Sequence, residues 1–165
     1  MAFSSFSAQA EGWYLGGGAV TSNLEDDLDD DISQGFGAAF SAGYSVNDLF
    51  GIEFLLSSAI HDEDITDGYV INDTFMVGGK FSFGGEGFRP YVAGGISRNT
   101  VDFENFDEIT GDGVYWGIGA DIFINQNHVI NISYRLNDWE GDDSVFDYDV
   151  RNKMLTVAYN FYFTQ

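Results

Sequence analysis

The sequence predicts an all-β fold, an eight-stranded antiparallel up-and-down transmembrane β-barrel, on three observations. Apolar segments recur with a two-residue period. The connections between them alternate between tight and long, as in barrels with short turns at one end and loops at the other. Acidic residues gather almost wholly in the long connections. A chain of 165 residues suits one domain.

The strand segments run over residues 12–20, 35–45, 50–59, 74–83, 89–100, 114–124, 128–137 and 152–163. Each is long enough to cross a bilayer as a tilted strand, which takes about 9–11 residues. The third sets Phe50, Ile52, Phe54 and Leu56 against Gly51, Glu53, Leu55 and Ser57. The seventh sets Ile130, Ile132, Tyr134 and Leu136 against Asn131, Ser133 and Arg135. Pro90 stands at the opening of the fifth segment, where a strand tolerates it.

Alternation alone leaves open which face is inside. The polar face is mostly Gly, Ala and Ser, with at most one charge per strand. A water-washed exterior would carry many charges, whereas small side chains suit the cramped interior of an eight-stranded barrel. The apolar face is aromatic near its ends, at Trp13, Tyr44, Phe83, Trp116, Tyr159 and Phe163, as in the girdles at the two membrane interfaces. Tight connections at 46–49, 84–88 and 125–127 alternate with long ones at 21–34, 60–73, 101–113 and 138–151. The long ones hold 22 of the 27 acidic residues.

A formal charge of -21 excludes nucleic acid as a partner, because phosphate binding needs clustered Lys and Arg. Without cysteine there is no disulfide framework, zinc thiolate or thiol nucleophile. No run of about 18 apolar residues exists to form a membrane helix. Residues 1–10 read as the tail of a secretory signal, with Ala8-Gln9-Ala10 as an A-x-A cleavage site, or as a disordered N-terminus. The barrel domain then covers 11–165.

Four charges share inward parity, one on each of four strands: Glu53, Lys80, Asp121 and Arg135. Unpaired charge in a narrow interior is costly, so they should pair. Strand adjacency suggests Glu53 with Lys80, near Tyr14 or Tyr91, and Asp121 with Arg135.

The order of several motifs resembles the transmembrane domain of the OmpA family and its opacity-type small-barrel relatives. These are Gly12-Trp13-Tyr14-Leu15-Gly16, Gly51-Ile52-Glu53, Gly79-Lys80-Phe81, Arg89-Pro90-Tyr91-Val92, Ile132-Ser133-Tyr134-Arg135 and Tyr159-Asn160-Phe161-Tyr162-Phe163. The resemblance spans nearly all of Gly12 to Phe163. It implies a bacterial outer-membrane location and lumen charges at Glu53, Lys80 and Asp121 that block or gate a water path. Arg135 departs from the family position, whose base lies nearer Asn131. The resemblance also implies a terminal signal at Tyr159, Phe161 and Phe163 for the outer-membrane assembly machinery. Outer-membrane lipid and lipopolysaccharide are the other expected partners of a monomer.

The acidic run containing Asp26, Asp27, Asp29, Asp30 and Asp31 is either a solvated loop or a loose Ca²⁺ site shared with lipid phosphates. No other cofactor is expected. An enzyme would need a nucleophile beside a base and an acid. The two histidines do not suggest one: His128 falls at a tight turn and His61 among acids. The reading is therefore a non-enzymatic structural and surface-interaction barrel with a polar plugged lumen and long acidic loops, the alternative being a narrow channel gated by the lumen charges.

Overall fold

The computed structural model describes residues 12–26, 34–62, 69–85, 87–103, 108–143 and 146–163. They form eight strands: β1 (Gly12–Asp26), β2 (Gly35–Ser45), β3 (Phe50–Asp62), β4 (Tyr69–Ser82), β5 (Phe88–Phe103), β6 (Ile109–Phe123), β7 (His128–Asp143) and β8 (Phe146–Phe163). Each pairs antiparallel with its chain neighbour, and β8 returns to pair with β1. Closure gives every strand two partners, which is what hydrocarbon demands of a sheet whose backbone no water can satisfy. The expected signal tail at residues 1–10 lies outside the described residues.

The two-residue period puts bulk outside and small or polar groups inside. Along β3, Phe54, Leu56 and Ile60 are exposed while Glu53, Leu55, Ser57 and Ala59 are buried. The exposed side chains form an apolar belt, including Phe40 on β2, Ile96 on β5 and Trp116 on β6. At the turn end Trp13 packs on Tyr44 with ring centroids 5.1 Å apart. Phe81 meets Phe83 edge to face at 5.3 Å.

Two of the tight turns use one device. In the first, the Asn47 side-chain oxygen accepts from the Leu49 and Phe50 amides at 2.9 and 2.8 Å. In the third, Asn125 accepts from the Asn127 and His128 amides, both at 3.0 Å. An Asn side chain thus stands in for a backbone carbonyl and reverses the chain in few residues. The middle turn relies on Gly87, whose φ of +81° other residues rarely adopt.

At the other end the structure corrects the sequence reading. Most of the expected long connections are strand: β1 runs on to Asp26, β4 begins at Tyr69, and β7 continues to Asp143. The physical reason is that the alternation persists while its polarity inverts. Glu25, Asp73, Asp102, Asp112, Glu140 and Asp149 are exposed on the outside, while Leu24, Val70, Val101 and Trp139 are buried inside. Above the bilayer the outer face meets water, so acids replace Phe and Ile there. β8 has 18 residues, about 59 Å of strand at about 3.3 Å per residue. Tilted by about 40°, it rises about 45 Å against an apolar band about 25 Å tall. Acids therefore decorate the outer wall of the paired strands.

Candidate functional site: the lumen charge network

Inward side chains stack in layers that can be followed along each strand from the turn end. The first is an aromatic floor of Tyr14, Tyr162 and Val129, with Phe123 against it. Arg89 closes this end. It is buried, donates to Asp48 of the first turn at 3.0 Å, and lies over the Phe123 ring at 4.9 Å. Sequence reasoning missed Arg89 as a lumen charge, although Tyr91 shares its parity and signals the inward face.

The four expected charges all lie inside and are each about nine-tenths buried or more. Their partners differ from the expectation. Lys80 donates to Asp121 at 2.5 Å, not to Glu53. Arg135 grips Glu53, with one terminal nitrogen 3.0 and 3.1 Å from the two carboxylate oxygens. The reason is height and reach. In the β6–β7 register Asp121 stands opposite Asn131, whereas Arg135 stands opposite Gly117, further toward the loop end. In so narrow a barrel, inward side chains meet across the lumen more readily than along the wall.

Neutral groups complete both pairs. Asn131 donates to the second Asp121 oxygen at 2.7 Å and to the Tyr91 hydroxyl at 2.8 Å. It occupies the place where the resemblance set a base, and it solvates Asp121 without adding charge. Lys80 lies 4.0 Å from the Tyr91 ring centre and 5.9 Å from that of Tyr14, within cation–π range. Both tyrosines thus attend the lysine. Tyr115 donates to Glu53 at 3.3 Å, and Arg135 also donates to Ser133. Gly119 makes room for this packing, since a Cβ there would come within 2.5 Å of the Tyr91 hydroxyl.

Next comes an apolar layer of Val20, Leu55, Met76 and Met154, backed by Ala39, Ala59 and Ala93. Beyond it lies a belt of buried asparagines, one each on β4, β5, β7 and β8. Ser22 links two of them, donating to Asn152 at 2.8 Å and accepting from Asn72 at 3.3 Å. Asn137 donates to Asn99 at 2.7 Å and accepts from Ser97 at 2.6 Å. Val70, Val101 and Trp139 cap the belt. None of these layers was singled out from sequence, though continued parity along each strand could have found them.

Other expected sites are placed as follows. Tyr159, Phe161 and Phe163 lie on the outward face of β8, and Phe161 meets Phe163 edge to face at 5.2 Å. His128 contacts Tyr159 and Phe161 at the turn-end rim. His61 is fully buried, facing Gly35. Asp26 ends β1, and Asp27, Asp29, Asp30 and Asp31 lie outside the described residues. Among the described residues no group of acids and histidines converges as a metal site would require.

The pairing makes a testable prediction. Lys80→Ala should destabilise the barrel by about 3–5 kcal/mol, because it leaves a buried Asp121 carboxylate without its cation. In double-mutant cycles Glu53 should couple to Arg135 by about 1–3 kcal/mol and to Lys80 hardly at all. The measurement is reversible urea unfolding in lipid vesicles. Coupling confined to Glu53 and Lys80 would contradict the geometry.

Comparison with known proteins agrees with this architecture. The family model described as outer membrane protein beta-barrel domain matches residues 1–163. No curated protein sequence is detectably similar to the chain. Among solved structures it resembles Neisserial surface protein A, with a TM-score of 0.76 at 18% identity, covering 92% of this chain and 97% of that one. It also resembles OprG from Pseudomonas aeruginosa, with a TM-score of 0.69 at 14% identity over 95% and 98% of the two chains. Ail, the attachment invasion locus protein of Yersinia pestis, gives a TM-score of 0.61 at 19% identity over 92% and 99%. These likenesses concern the fold. The closed eight-stranded barrel, its apolar belt and the family match together make the chain an integral protein of the bacterial outer membrane and a member of the outer membrane protein beta-barrel domain family.

Proposed function

We propose that the chain is a structural and surface-interaction barrel, not an enzyme, whose lumen is sealed. The carrying observation is the stacking of two complete buried ion pairs and an apolar layer across one interior. A hydrated ion entering from either end would have to shed water beside charges already neutralised by each other. It would then have to pass Leu55, Met76 and Met154, which offer it nothing. A gated ion path is the second reading. It is favoured by Glu53 and Lys80 lying on neighbouring strands, opposite Gly78 and Gly51, so that an exchange of partners moves only side chains. Planar-bilayer recording of the refolded barrel separates the two. The sealed reading expects no steady current, whereas a steady ohmic conductance would overturn it and support the gated path.

In this reading the function lies on the outer wall. On β6, β7 and β8, Asp112, Glu140 and Asp149 stand directly opposite one another in register. Like charges so placed are mutually destabilising. Nearby pairs relieve only part of this: Arg98 with Asp112 at 3.3 Å, Arg151 with Asp138 at 2.6 Å, and Lys153 with Glu25. Divalent cations bridging these acids and neighbouring lipopolysaccharide phosphates would relieve the rest. The aromatic residues Tyr159, Phe161 and Phe163 would serve as the terminal signal for the assembly machinery. The expected result is that millimolar Ca²⁺ raises the unfolding temperature more than NaCl of equal ionic strength, and more so with lipopolysaccharide present. Equal effects of the two salts would reduce the acidity to simple screening.

A further inference from the structure

One stretch of the lipid-facing belt carries an apolar hollow. On β5 and β6 the outward residues Pro90 and Ala120 are paired neighbours in register. They form a low floor where the rows on either side carry larger side chains: Phe88 with Ile122, and Val92 with Ile118. Ile132 of β7, opposite Ala120, forms one flank, and Phe83 forms the other. The hollow is about 500 Å³ and almost wholly apolar. It begins one row inside the turn-end aromatic girdle and opens sideways from the barrel wall.

We infer that this hollow is a seat for one ordered acyl chain of a phospholipid in the turn-side leaflet. The inference rests on the membrane location established above. Because the hollow is continuous with the lipid-facing belt, hydrocarbon is the only medium that reaches it. No hydrophobic force draws the chain in, since lipid tails are as apolar as the wall. What favours an ordered chain is shape. A fluid chain passing over a recess between the Phe88, Phe83 and Ile118 side chains loses van der Waals contact, whereas one laid along the Pro90–Ala120 floor regains it. Pro90 also holds the floor fixed, since its ring locks φ.

The test uses the barrel refolded into phosphatidylethanolamine–phosphatidylglycerol vesicles, extracted into mild detergent and weighed by native mass spectrometry. The expected spectrum shows a monomer retaining one phospholipid after detergent washing. Ala120→Phe, which fills the floor from the lipid side, should reduce that adduct to background. Ala42→Phe, on the outward face of β2, should leave it intact while adding the same bulk to the belt. The shift of mobility on heating, read on a gel, checks that both variants fold. Absence of a one-lipid adduct in the unmodified protein, or equal retention by Ala120→Phe, would overturn the seat. A dimer lost in Ala120→Phe would overturn it too, by assigning the hollow to a second copy of the chain.

Discussion

Closure of the sheet in hydrocarbon is the constraint from which the rest follows. A backbone that water cannot reach must satisfy its own amides, and β1 pairing with β8 leaves no open edge to do otherwise. Eight strands closed this way leave an interior only as wide as the side chains that fill it. Small residues such as Gly43 and Gly119 therefore lie where large ones such as Tyr14 and Tyr91 reach across. Any charge admitted there must be met by its opposite. Lys80 with Asp121 and Arg135 with Glu53 meet that demand in successive layers, and Arg89 with Asp48 meets it at the turn end.

The same constraint explains what was legible in the sequence. Strand number, facing and the four lumen charges follow from a period of two, which closure enforces on every strand. Partnership did not follow, because it depends on the stagger of the closed barrel. Glu53 and Lys80 are neighbours along the wall, yet Arg135 reaches Glu53 from the far side. Strand length was misread for a related reason. Apolar content marks only the part of a strand that touches lipid, so the acidic outer halves of β1, β7 and β8 looked like loop. Their inward residues, Leu24 and Trp139, kept the period and were the available signal.

Two chemistries thus divide one architecture by height. Within the bilayer the outside is apolar and the inside carries compensated charge. Above it the outside is acidic and the inside holds an amide belt beneath Val70, Val101 and Trp139. The extension carries Asp112, Glu140 and Asp149 on paired strands, where the register sets them opposite one another. Beneath it the two buried ion pairs and the apolar layer fill the interior.

The central claim is that each lumen charge is neutralised by one particular partner. Carbon–nitrogen dipolar recoupling by solid-state NMR, on uniformly labelled protein in lipid bilayers, measures this directly. Short contacts should appear between the Arg135 guanidinium and the Glu53 carboxyl carbon, and between the Lys80 ammonium and that of Asp121. A dominant Lys80–Glu53 contact, with Arg135 turned to Asp121, would contradict the account.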